Sequence, residues 1–169
     1  PLGVFCLNRF IANRTALSSL LFAMVALYSY WTYQRNFAWQ DELSLWQDSI
    51  EKAPGSARAH NNLGVALENA GQLDEAMFHY RETSRLDPGY AAAYYNLGII
   101  LILRKEASRA IPYLRQAVLL YPEDATMRIS LADAFLHQGR FEEARTQYVQ
   151  ALRLDPENRE AHMKMKGTM

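Results

Sequence analysis

The stretch "HNNLGVALENAGQLDEAMFHYRETSRLDP" (residues 60–88) returns twice, as "YYNLGIILILRKEASRAIPYLRQAVLLYP" (94–122) and "RISLADAFLHQGRFEEARTQYVQALRLDP" (128–156), each copy displaced by 34 residues. Leu63, Leu97 and Leu131 fall in register, as do Gly64, Gly98 and Ala132, then Ala76, Ala110 and Ala144; Pro88, Pro122 and Pro156 close the units. A fixed period of this length marks a stacked array of supersecondary units. Each unit reads as a helical hairpin. The small residue at the Gly64 place lets its first helix (A) approach a neighbour closely, and the small Ala76 place does the same for the second (B). The proline stops helix B and turns the chain into the next unit.

These residues resemble the tetratricopeptide repeat (TPR) over residues 57–158, with units 57–90, 91–124 and 125–158. The resemblance implies an all-α solenoid. His60, Tyr94 and Arg128 stand where the family has Trp, and Lys105 replaces the inter-helix glycine supplied elsewhere by Gly71 and Gly139. An altered inner turn is therefore expected in the second repeat.

One period before Pro88 lies Pro54, so "DELSLWQDSIEKAP" (41–54) sits in register as helix B of an incomplete preceding repeat. Asp41 is its expected N-cap, and Leu43, Trp46 and Ile50 form an apolar stripe at i, i+3, i+7. Residues 35–54 thus read as a bridge and capping helix, the stripe covering the face that a terminal repeat would otherwise expose. After the third repeat, "REAHMKMKGTM" (159–169) reads as a short polar C-terminal helix fading into a tail.

Upstream, "TALSSLLFAMVALYSYWTYQ" (15–34) carries no charge. As a helix it spans about 30 Å, the thickness of a bilayer's hydrocarbon core. Tyr28, Tyr30, Trp31 and Tyr33 gather at one end like an interfacial belt. The expectation is a transmembrane helix over 15–34, embedded in lipid. A signal peptide is disfavoured by "YSYWTY" at the place of cleavage, and an interfacial helix by the missing charged face. A buried helix stays open, because five Ser and Thr dilute the apolarity. Arg9 and Arg14 before the span against Arg35 after it favour a cytoplasmic segment 1–14 and a repeat region outside, periplasmic or lumenal. No Gly/Ser- or Pro-rich linker separates span from array.

Lys+Arg and Asp+Glu number 18 each, so the net charge is zero and no basic surplus points to nucleic acid. Cys6, the single cysteine, excludes an internal disulfide and a cysteine zinc site. The chain opens on Pro1, which predicts a chain processed or cut from a longer one. His60, His79, His137 and His162 lack ligand spacing, and His79 and His162 fit solvated helix faces. Nucleophile-elbow, phosphate-loop and dinucleotide motifs do not occur. Asp74/Glu75 and Glu142/Glu143 fall in helix B first turns, where they complement the helix dipole. No catalytic, metal or cofactor site is expected, and the chain reads as a binding protein, not an enzyme.

In the TPR family, helix A positions two, five, nine, twelve and thirteen face the concave groove. The resemblance carries these onto Arg58, Asn61, Val65, Glu68 and Asn69 in the first repeat. The second repeat gives Ala92, Tyr95, Ile99, Ile102 and Leu103. The third gives Thr126, Ile129, Asp133, Leu136 and His137. An apolar middle with polar edges suits a partner helix or an extended apolar peptide, with Tyr95 as anchor. The lysine-rich clamp that some members use for C-terminal carboxylates is missing, because Val65 and Glu68 stand there. "GIILIL" (98–103) has a second reading, burial between repeats or against another copy in a homo-oligomer.

The junction "TYQRNFAWQDELSLWQDSIEKAPGSARAHNNLG" (32–64) is similar to that of the transmembrane-and-TPR O-mannosyltransferases and of bacterial polytopic glycosyltransferases with TPR tails. Tyr33, Arg35, Asn36, Trp39, Asp41, Glu42, Leu45, Trp46, Pro54, Arg58, Asn62, Leu63 and Gly64 carry that resemblance. It implies catalytic acids in an early loop absent from these residues, leaving at most the last span and a recognition tail. The leading expectation is a membrane-anchored TPR module that captures a protein or peptide. The alternatives are the tail of a glycosyltransferase and a self-associating assembly scaffold.

Overall fold

The computed structural model describes residues 18–33 and 42–168. Asp41, the bridge up to it and residues 15–17 and 34 of the expected span lie outside the described residues. The chain divides into two compact units, Pro1–Leu45 and Trp46–Met169.

In the first unit, residues 18–33 form a helix, α1, and every one of them is exposed. Among the described residues no helix is long and apolar enough to cross a membrane. At 1.5 Å per residue the described part of α1 runs about 24 Å, short of the roughly 30 Å of a hydrocarbon core. Its apolar side chains stand out all round: Phe22 is 78%, Trp31 76% and Leu27 64% exposed.

The helices that follow are α2 (Glu42–Lys52), α3 (Ala57–Asn69), α4 (Leu73–Leu86), α5 (Ala91–Leu103), α6 (Ala107–Leu120), α7 (Ala125–His137), α8 (Phe141–Leu154) and α9 (Arg159–Lys166). Within the second unit α3 packs on α4, α5 on α6 and α7 on α8, and successive hairpins join through α4–α5, α6–α7 and α8–α9. The described residues therefore form an all-α solenoid. Its hairpins close by one device. A Cβ built on Gly64 would lie 2.6 Å from Cε1 of Tyr80, and one on Gly98 2.5 Å from Cγ of Leu114. The small residue on helix A thus makes room for a large side chain of its own repeat's helix B. Tyr80, Leu114 and Tyr148, at equivalent places, are all fully buried. Removing such a side chain from water stabilises the fold by about 1.5–3 kcal/mol. Ala76, Ala110 and Ala144 are fully buried too, as their spacing requires.

The inner turn of the second repeat is not altered. Lys105 takes φ 61°, in the left-handed region that Gly71 (78°) and Gly139 (70°) occupy. Its amide donates to the Ile102 carbonyl at 2.8 Å, as Gly71 does to Glu68 and Gly139 to Leu136, both at 2.9 Å. Packing of α5 on α6 fixes this turn, and the lysine bears the strain.

A second regularity joins the repeats. His60 Nε2 donates to the Pro54 carbonyl (3.1 Å), Arg128 Nε and Nη2 to that of Pro122 (3.0 and 2.8 Å), and His162 Nε2 to that of Pro156 (2.9 Å). These residues hold the family's tryptophan place and strap α3, α7 and α9 to the preceding proline. His162 belongs to α9, the short C-terminal helix read from residues 159–169. Asn158 caps α9 by accepting from the Ala161 amide at 3.0 Å, as Asp124 caps α7, and Ala161 is fully buried. The helix keeps the register of a helix A and packs on α8. By contrast α2 buries none of its residues; Leu43, Trp46 and Ile50 are half-covered.

Candidate peptide-binding groove

Asn61, Val65 and Glu68 follow one another at i, i+4, i+7 along α3, so they share a face of that helix. Tyr95, Ile99 and Ile102 do the same along α5, and Ile129, Asp133 and Leu136 along α7. Burial sorts these residues. Asn61 (7%) and Ile129 (6%) sink into the packing, Val65 is 38% and Leu103 64% exposed. Tyr95, Ile99, Ile102, Glu68, Ala92, Asp133 and Leu136 are partly open, while Arg58, Asn69, Thr126 and His137 are exposed. The two readings of "GIILIL" divide along the same line. Gly98, Ile100 and Leu101 are buried between helices, whereas Ile99, Ile102 and Leu103 keep surface.

Hydrogen bonds fix the polar members. The Tyr80 hydroxyl donates to Glu68 Oε2 at 2.7 Å, and the Tyr148 hydroxyl to Asp133 Oδ1 at 2.5 Å. Burial, reinforced by each carboxylate, pushes both phenols well above the ordinary tyrosine range. They stay neutral donors. Lys164 on α9 donates to Asp133 Oδ2 and pairs with Glu160, both at 2.6 Å. Burial works against its charge, but the two carboxylates outweigh it and raise its pKa. The Ser130 hydroxyl reaches the Tyr95 oxygen at 3.4 Å, linking α7 to α5. Asn61 Nδ2 donates to Asn62 Oδ1 at 3.4 Å, while Asn61 Oδ1 is buried without a partner.

His79 lies off the solvated face expected of it. Its Nδ1 meets Nδ1 of the buried His60 at 3.0 Å. With Nε2 donating to Pro54, a neutral His60 ring has only its Nδ1 lone pair to offer, so in that form the Nδ1–H of His79 donates to it. Burial first, and His60 second, lower the His79 pKa below 6.5. The pair, 19 residues apart on two helices, left no local signature in the sequence. Acidic first turns stand as read, with Asp74 and Glu75 in α4 and Glu142 and Glu143 in α8. Arg104 pairs with Asp74 at 2.8 Å and holds that carboxyl below its usual range.

A cleft of about 580 Å³ opens elsewhere, between α6 and α8 over α7, lined among others by Arg115, Leu119, Arg128, Phe135 and Glu143. Its one carboxylate, Glu143, is shared between two arginines, and Arg128 bonds only neutral oxygens of Pro122, Gln147 and Gln150. Arg115 and Arg140 lie over the Phe135 ring at 5.3 and 4.7 Å and both pair with Glu143. Among the described residues no group of three or more His, Cys, Asp or Glu is placed to hold a metal.

Models of the tetratricopeptide repeat match residues 57–90, 79–125 and 106–159, together well over half of the chain. The chain belongs to the tetratricopeptide repeat family. It is 36% identical over 55 residues to the Drosophila melanogaster Protein O-mannosyl-transferase Tmtc3, covering 32% of this chain and 6% of that protein. It is 31% identical over 80 residues to the Homo sapiens Protein O-mannosyl-transferase TMTC1, covering 47% of this chain and 9% of that protein. The match thus spans less than a tenth of these relatives' length. Among solved TPR structures, a fragment of MamA from Desulfovibrio magneticus RS-1 superposes with TM-score 0.70 at 23% identity, over 85% of this chain and 82% of that one. The first TPR of Spaghetti (RPAP3) bound to the HSP90 peptide SRMEEVD gives 0.64 at 23%, over 66% of this chain and 89% of that one. At such identities the likeness is one of fold.

Proposed function

We propose that this chain captures a peptide or partner helix in the groove formed by the first helices of its repeats, close to a membrane. The observation that carries the reading is the open apolar row Ile99, Ile102 and Leu103 beside Val65, set among fixed polar groups. An exposed apolar surface in a rigid frame is what a bound segment covers. The SRMEEVD complex of a TPR domain of the same fold is consistent with it. The tether is argued from α1, whose apolar side chains are exposed on every side. With residues 15–17 and 34 it would reach bilayer length, and the two-against-one count of arginines favours the repeats lying outside the cytoplasm. Ile99→Asp and Tyr95→Ala test the groove. Both variants should keep wild-type circular dichroism and lose partner capture from native membranes. Capture left intact by both would end the reading.

A second reading, the recognition tail of a polytopic O-mannosyltransferase-like protein, is favoured by the identity to Tmtc3 and TMTC1. An antibody against residues 55–158 separates the two on native membranes. A band near 19.4 kDa, the mass of this chain, supports a module that stands alone. A band several times larger supports the tail.

A further inference from the structure

Resting on the groove reading, the polar groups along α3 narrow the chemistry of the ligand. Asn61 Oδ1, a buried acceptor without a donor, lies inside the packing and out of a ligand's reach. Seven residues on, about 10 Å along the helix, the partly open Glu68 presents a carboxylate. The neutral hydroxyl of Tyr80 holds one of its oxygens, and no basic side chain pairs with it. The comparison with α7 is informative. Asp133 occupies the same face and is likewise held by a tyrosine, but Lys164 already neutralises it at 2.6 Å. Arg58, ten residues before Glu68 on α3, lies about 15 Å away along the helix axis and makes no ion pair with it. Glu68 is therefore the groove's uncompensated anion. An open carboxylate on this stripe, with the exposed Val65 one turn before it and the partly open Ile99 on α5, asks for a cation flanked by apolar groups.

We infer that the groove takes an extended peptide carrying a lysine or arginine side chain between apolar ones, its cation seated on Glu68. An acidic or carboxylate-terminated peptide is disfavoured by the same charge.

Fluorescence anisotropy with labelled decapeptides alternating leucine with lysine, with serine or with glutamate tests this on the purified 169-residue chain. At low ionic strength the lysine probe should bind about tenfold tighter than the serine probe, as one added charged hydrogen bond warrants, and the glutamate probe weakest. Glu68→Gln keeps an acceptor for Tyr80 and should erase the lysine preference, while Asp133→Asn should leave it. Equal binding of all three probes, still abolished by Ile99→Asp, would overturn the cation preference and leave the groove reading standing. A lysine preference unmoved by Glu68→Gln would overturn the assignment to Glu68. Failure of every probe, or binding untouched by Ile99→Asp, would overturn the groove reading and this inference with it.

Discussion

Replacing Lys105 with glycine should stabilise the array. An L-residue in the left-handed region costs about 1–2 kcal/mol, and Lys105 sits there at φ 61°. Glycine removes that strain but enlarges the freedom of the unfolded chain, which offsets about 0.4–1 kcal/mol. The difference is a gain of about 0.5–1 kcal/mol, or roughly 2–5 °C in Tm for a unit of this size. Lys105 is exposed and makes no ion pair, so backbone conformation dominates the change. Gly71→Ala and Gly139→Ala supply the mirror image. A Cβ at either place meets nothing within 4 Å, so the substitution reports conformation alone and should cost about 0.5–1 kcal/mol. Urea unfolding followed by circular dichroism reads all three, provided the slope m stays constant. A lowered midpoint for Lys105→Gly, or unchanged midpoints for both alanine variants, would refute the strain argument.

Gly98→Ala should destabilise by about 1–3 kcal/mol through overpacking, because the added methyl meets the branch point of Leu114. Gly64→Ala should cost less in the same urea assay, since the third repeat already pairs Ala132 with Tyr148. Tyr80→Phe should lower stability by about 1 kcal/mol by removing the hydrogen bond to Glu68. Calorimetry would show it as a reduced Tm. Stability should also fall in mild acid. His79 resists protonation more in the folded than in the unfolded chain, so its contribution is full above pH 6.5 and is lost as pH drops below that value toward the lower folded pKa. Urea midpoints compared between about pH 7.5 and about pH 5 should drop less in His79→Gln than in the wild type.

The repeat was legible because its signal is carried by side-chain size at fixed spacing, and size at Gly64, Ala76 and Tyr80 is what the hairpin packs. α9 escaped that test. It has Met165 at the leucine place and Lys166 at the glycine place, so the register is kept by the N-cap, the buried alanine and the His162 strap. The turn at Lys105 shows the converse. Composition argued for a changed turn, and tertiary packing imposed the common one. The groove residues could be numbered by their register, but their electrostatics could not be read there. Whether Glu68 or Asp133 carries an unspent charge depends on Lys164, 31 residues beyond Asp133 and on another repeat.

The strap from helix A to the preceding proline carbonyl is missing at one boundary. Tyr94 stands in its place and makes no such bond to Pro88, while the boundaries at Pro54, Pro122 and Pro156 are tied. The Arg104–Asp74 ion pair between α4 and α5 ties that boundary instead. Salt screens an exposed ion pair far more than a hydrogen bond to a carbonyl, so rising ionic strength should weaken this joint ahead of its neighbours.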